Sequence, residues 1–316
     1  MSNLHVGIRE ILIRDFRGID ELKLSFLGPN DYPTQVVVIG GPNGAGKTSV
    51  LEACLLAGGQ QKLIRGKAGE AAIRLGAKDY RIEANFQVQN HQEKGTCESR
   101  KPGREIVPFV YYSSWRAPVL PGPVGITVGK KGKRPARTEE NRFLNIKTYF
   151  ANSSAQVNFP SASPTLVERF HAASSDLNRA WQIFYPDQSI AVQPLTEELG
   201  AGFDMYLTRP DRPPLSVDLL SSGQLELLAF IGGLATDKSP QGIMVIDEPE
   251  LHLDPQWHRQ GLRALQLLKP DWQIIVGTHS PEIFDSVLSF ERHFLVPEDD
   301  PRAKAWLSGV AQGDEP

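Results

Sequence analysis

Residues 20–26, Asp20-Glu21-Leu22-Lys23-Leu24-Ser25-Phe26, alternate polar and apolar positions, and Ile8, Leu12 and Phe16 stand among charges just upstream. A period of two sends successive side chains to opposite faces, so this stretch predicts two antiparallel strands with one wetted face. Gln35-Val36-Val37-Val38-Ile39 differs: it is a short β-branched run ending in glycines, the mark of a strand buried on both faces. Gly242 to Ile246 and Trp272 to Val276 repeat that pattern. Further strands are expected at Tyr80–Gln89, Ile106–Ser113, Ser189–Val192, Gly202–Thr208, Leu215–Asp218 and Ser289–Val296. Helical segments are expected at Val50–Ala57, 222–235 and 255–269. A helical lobe is expected over 138–185, where Leu166, Phe170, Leu177, Trp181 and Phe184 recur near helical spacing. Buried strands alternating with helices make this an α/β chain with a mainly parallel core sheet. Beside that sheet stand an antiparallel β-subdomain and a short helical lobe.

Between the strand at 35–39 and the helix at Val50 lies Gly41-Pro42-Asn43-Gly44-Ala45-Gly46-Lys47-Thr48-Ser49. It fits the phosphate-binding pattern G-x-x-x-x-G-K-[ST]. Glycines let successive backbone N–H groups curl around a phosphate, and the following helix aims its positive end at the same anion. Lys47 is placed to reach the β- and γ-phosphates and the Thr48 hydroxyl to ligate Mg²⁺. The strand before the loop and the helix after it supply the required context, so ATP or a related nucleotide is the expected ligand.

The run Gly242–Ile246 ends in Asp247-Glu248. In a P-loop fold Asp247 holds Mg²⁺ and Glu248 is the general base for the attacking water.

Leu220-Ser221-Ser222-Gly223-Gln224 resembles the LSGGQ signature of ATP-binding-cassette (ABC) ATPases. Pro249-Glu250-Leu251-His252-Leu253-Asp254 stands in the place of that family's D-loop, and Thr278-His279-Ser280 matches its switch histidine. The resemblance implies a P-loop NTPase of ABC type occupying residues 1–316 as a single domain, with the helical lobe and insertion at roughly 116–187. It implies MgATP hydrolysis and a head-to-tail dimer, in which Ser222, Gly223 and Gln224 of one subunit close on the γ-phosphate held by the other. Asp254 belongs to the same composite site, and His279 senses the γ-phosphate. Transporter cassettes usually read D-E-P-T-S-x-L-D, and this chain does not. Ile13-Arg14-Asp15-Phe16-Arg17-Gly18-Ile19 is similar to the opening of SMC, RecF and OLD-type ATPases, which points to the DNA-repair and phage-defence branch. There Arg14, Phe16 or Arg17 is either a nucleotide or DNA contact or part of a solvated strand edge. Gln87, Gln89 and the segment Ser114-Trp115-Arg116 are the places for a Q-loop, and no glutamine stands at the last of these.

Composition removes other classes. Net charge is −3, so a polyanion site must be a local patch. No apolar run approaches the roughly 20 residues of a membrane helix, and the N-terminus does not read as a signal peptide. A cytoplasmic protein without membrane insertion is expected. Its two cysteines, Cys54 and Cys97, form no metal or redox motif.

Lys130, Lys131, Lys133, Arg134 and Arg137 are the one dense positive run. It is a phosphate-backbone contact for DNA, a docking loop for a protein, or a solvated loop. No second catalytic centre is visible, so a nuclease, toxin or other effector activity would reside on a separate polypeptide. The favoured role is the motor or sensor subunit of a DNA-repair or anti-phage complex. The alternatives are a transporter nucleotide-binding subunit and a non-hydrolysing scaffold gated by ATP.

Overall fold

A computed structural model describes residues 4–64, 72–113, 142–159, 162–195, 202–251, 258–296 and 300–301. The chain forms two compact units, and each is assembled from separated stretches of sequence. One contains Met1–Ser114, Ser239–Leu251 and Lys269–Pro316; the other contains Trp115–Lys238 and His252–Leu268.

The first unit holds two sheets. Val6–Phe16 (β1) and Ile19–Ser25 (β2) form the expected hairpin. They join Arg81–Val88 (β4) and His91–Glu98 (β5) in an antiparallel sheet of order β2-β1-β4-β5. The buried runs form a five-stranded parallel sheet. Its members are Val36–Gly40 (β3), Phe109–Tyr112 (β6), Gly242–Asp247 (β10), Trp272–Thr278 (β11) and Arg292–Phe294 (β12), in the order β12-β3-β11-β10-β6.

Helix α1, Lys47–Ala57, packs on β10 and β11 of the parallel sheet and on β1, β4 and β5 of the antiparallel one. That double contact explains why Val50-Leu51-Glu52-Ala53-Cys54-Leu55-Leu56 has no polar face: a helix apolar all round belongs in a core. Val50, Leu51 and Leu55 are fully buried, and each such side chain stabilises the unit by about 2 kcal/mol. A buried polar strut links the two sheets. β1 shifts register between Ile8 and Glu10, and Gln273 on β11 meets the backbone there. Its Oε1 accepts from the Ile8 N–H at 2.6 Å, and its Nε2 donates to the Ile8 carbonyl at 3.0 Å.

The second unit contains Arg142–Val157 (α2), Pro164–Phe184 (α3), Ser222–Thr236 (α4) and His258–Leu268 (α5), beside the antiparallel sheet β7-β8-β9 (Ser189–Pro194, Phe203–Arg209, Arg212–Ser216). The Ser163 hydroxyl caps α3 by accepting from the Leu166 N–H, with Pro164 at the first helical position where its missing N–H costs nothing. Leu177, Trp181, Phe143, Phe150, Met205 and Leu228 meet in this unit's core.

Several elements depart from the expected pattern. Ser289–Glu291 is a 3₁₀ turn, with strand kept only at Arg292–Phe294, and Pro281–Asp285 is an unannounced short helix. β5 and β9 differ further. β5, His91–Glu98, is polar except at Gly95 and Cys97, so no alternation announces it; it forms because the two-residue turn Gln89-Asn90 folds it back onto β4, with Val88 opposite His91. β9 runs over Arg212–Ser216 rather than Leu215–Asp218. It is an edge strand, where Pro213 and Pro214 need donate no ladder hydrogen bond. Val217–Leu219 turns instead as a 3₁₀ segment, capped by the Ser216 hydroxyl on the Asp218 N–H.

Candidate nucleotide site

The glycine loop follows β3 and opens α1, as the sequence requires. Gly44 and Gly46 have φ of +81° and +96°, left-handed values that side chains with a Cβ rarely adopt. The Ala45 N–H donates to the Pro42 carbonyl at 3.2 Å and closes the turn. Lys47 is buried, and its Nζ donates to the carbonyls of Gly41 at 2.8 Å and Pro42 at 3.1 Å. Burial lowers its pKa, while Glu248, Glu250 and Asp247 act in the opposite sense. A lysine folded onto the carbonyls of its own loop, among carboxylates, is poised for an anionic ligand. Asn43 is exposed at the loop's tip, and Ser49 lies in the first turn of α1 beside Thr48.

β3, β11 and β10 are parallel neighbours, so their C-terminal ends converge. The Thr48 hydroxyl donates to Oδ2 of Asp247 at 2.8 Å, joining the loop to the acidic pair across 199 residues of sequence. These are two hard oxygen donors side by side, the donor chemistry that Mg²⁺ prefers. Gly277 on β11 keeps this junction open: a Cβ there would meet Leu51 Cδ1 at 2.8 Å and Asp247 Oδ1 at 3.3 Å.

Beyond Asp247 the backbone reverses sharply. Glu248 has a φ of +50°, a left-handed conformation that costs a non-glycine residue roughly 1 kcal/mol, and its N–H donates to the Gly277 carbonyl at 2.7 Å. His279 follows β11, with Nδ1 3.7 Å from Glu248 Oε1 and 3.0 Å from Glu250 Oε1. The structure therefore brings together Lys47, Thr48, Asp247, Glu248 and His279. It adds Glu250, whose only sign in the sequence is the departure from D-E-P-T-S.

Arg14, Phe16 and Arg17 stand at the β1–β2 hairpin in three different settings. Phe16 is fully buried with its ring edge-on to Tyr80, and Arg14 pairs with Glu21 on the exposed face at 2.7 Å. Arg17 instead forms an ion pair with Glu52 of α1, one turn beyond Thr48. Gln87 is spent on structure: its Oε1 accepts from Arg9 and its Nε2 donates to the carbonyls of Gln89 and His91. Ser114-Trp115-Arg116, Asp254 and the run Lys130–Arg137 lie outside the described residues.

In the second unit the signature residues open α4. Ser221 is the N-cap and forms a capping box with Gln224, whose Oε1 accepts from the Ser221 N–H at 3.2 Å. Ser221 and Ser222 are exposed, and Gly223 completes a first turn whose N–H groups are the ordinary anion-binding end of a helix.

A glycine loop and a carboxylate pair at the ends of parallel strands define a P-loop ATPase of ABC type. The chain belongs to the family described as "AAA domain, putative AbiEii toxin, Type IV TA system", whose family model matches residues 36–285. It is 24% identical to the Septu protein PtuA of Bacillus thuringiensis, over 93% of this chain and 76% of that protein. A stretch covering 28% of this chain is 32% identical to the Retron Vc95 probable ATPase of Vibrio cholerae serotype O1 biovar El Tor, and spans 20% of it. In three dimensions 89% of the chain matches 91% of an SMC head crystallised with the C-winged helix domain of ScpA, at a TM-score of 0.57 and 15% identity, which shows a common fold. The resemblance to SMC- and OLD-like defence and repair ATPases holds, and the chain is an ATP-binding ATPase domain. Among the described residues no helix is long and apolar enough to cross a membrane.

Proposed function

We propose that two copies of this chain bind MgATP head to tail, hydrolyse it slowly, and thereby control a separate effector protein in an anti-phage or DNA-repair complex. The observation that carries this reading is the meeting of Thr48, Asp247, Glu248 and His279 beside the glycine loop. Similarity to the Septu protein PtuA and to a retron ATPase supports the defence branch.

In this reading the backbone N–H groups of residues 43–48 and the Lys47 ammonium hold the phosphates. Thr48 and Asp247 would hold Mg²⁺, which, when bound, neutralises charge on the β- and γ-phosphate oxygens. Glu248 orients a water and accepts its proton, and His279 contacts the γ-phosphate. Ser222, Gly223 and Gln224 serve the partner subunit's nucleotide, with Asp254 lining the same interface. The exposure of Ser221 and Ser222 at the start of α4 supports that role.

The test is the ATPase rate and the solution mass of the parent and Glu248→Gln proteins with MgATP. Removing a general base is expected to lower turnover by about 10²- to 10⁴-fold and to trap an ATP-bound dimer. A variant that turns over like the parent would overturn the role of Glu248. If both proteins remain monomeric with ATP, the head-to-tail dimer falls.

A further inference from the structure

Glu250 is a buried carboxylate whose single oxygen collects three donors from two consecutive residues at the end of β11. Its side chain is 5% exposed. Oε1 accepts from the Thr278 hydroxyl at 2.8 Å and from the His279 backbone N–H at 2.8 Å, and Nδ1 of the His279 ring lies 3.0 Å away. The Thr278 hydroxyl in turn accepts from the Ser280 N–H at 2.9 Å. Oε2 is buried with no hydrogen-bond partner among the described residues, so the carboxylate's hydrogen bonds run to the histidine loop.

We propose that Glu250 is the positioning residue of His279: it fixes the loop backbone and the ring together, accepting the Nδ1–H so that the opposite nitrogen, Nε2, is turned to donate its own N–H to the γ-phosphate. This rests on the reading that His279 contacts that phosphate. The geometry favours Glu250 over Glu248 in this role. Glu248 Oε1 is 3.7 Å from the same nitrogen, beyond hydrogen-bond distance. An imidazole free to rotate or change tautomer would present the wrong nitrogen part of the time, and a carboxylate that grips both its main chain and its ring removes both freedoms. Transporter-type cassettes carry threonine at this position of the D-E-P-T-S text, so the device follows from the glutamate that this chain has instead.

The experiment uses the full chain labelled with ¹⁵N-histidine, the His279 resonances being assigned by their loss in His279→Gln. Glu250→Ala and Glu250→Gln are compared with the parent, both by ¹⁵N spectra without nucleotide and by kcat and KM for ATP. The parent is expected to show Nδ1 protonated and held towards the carboxylate. Glu250→Ala is expected to lower Nδ1 protonation and to lower kcat by about tenfold or more with KM within about twofold. Glu250→Gln keeps an acceptor oxygen at the same place, so it is expected to retain Nδ1 protonation and recover part of kcat; it also serves if the alanine variant fails to fold. A parent His279 with no proton on Nδ1, or Nδ1 protonation and kcat unchanged in both variants, would overturn the proposal. If His279→Gln turns over like the parent, the catalytic reading of His279 fails, and the spectra still decide whether Glu250 holds the ring.

Discussion

Glu52 shows how one residue ties the nucleotide loop to the antiparallel sheet. It sits on α1 five positions after Lys47, buried in a helix with no wetted face. Burial pushes its carboxyl above the ordinary carboxylate range, and the Arg17 guanidinium pulls it back. A folded-state pKa raised above the unfolded value means that the folded state binds more protons, so this group's contribution to stability falls as pH rises through that window. Arg17→Ala removes the compensating charge and raises the carboxyl further. The variant is expected to be less stable at pH 7 by about 2 kcal/mol, below the range for fully enclosed pairs because Arg17 is about one-third exposed. Its deficit should shrink as the buffer is brought down towards pH 5 and Glu52 takes up its proton. Urea denaturation at the two pH values checks this, and a deficit independent of pH would show that Arg17 acts through packing on Phe16 instead.

Among the elements, the segment leading into α4 depends on a buried charge cluster. Lys147 of α2 is 1% exposed, and its Nζ lies 2.7 Å from Asp204 of β8 and 2.7 Å from Asp218, three residues before the α4 N-cap Ser221. A helix, a strand and the turn before the signature are thus joined at one ammonium. Lys147→Met leaves two carboxylates facing each other with no cation between them. The expected loss is about 3–5 kcal/mol, read as a lower urea midpoint, and Asp204→Asn in the same background should restore part of it. This cluster leaves no sign in the sequence, because its members lie 57 and 14 residues apart and none belongs to a motif. β5 was illegible for a related reason, since an edge strand with a polar face owes its existence to the neighbour it pairs with. By contrast β3, β10 and β11 were plain, because strands covered on both faces must be apolar throughout.

For the whole molecule, the net charge of −3 and the five cations between Lys130 and Arg137 pose a question that binding assays answer. If that run meets a nucleic-acid backbone, DNA binding weakens steeply with salt. Replacing the five by alanine should then reduce the slope of log K against log salt by up to about 4.5, at roughly 0.9 per phosphate contact. An unchanged slope would assign the run to a protein partner or to solvent.

The order of the glycine loop, signature, acidic pair and histidine determined, from sequence alone, the ATPase class, the strand–loop–helix setting of the glycine loop and the parallel core, because each is a local requirement of backbone geometry or of strand burial. Only the tertiary structure decided which polar side chains meet. That Thr48 touches Asp247, that Arg17 answers Glu52 and that Glu250 grips His279 follow from the order in which strands pair and from the crossing of α1 between two sheets. A hydrogen bond between residues 199 apart leaves no periodicity in the chain; the packing of the elements between them creates it.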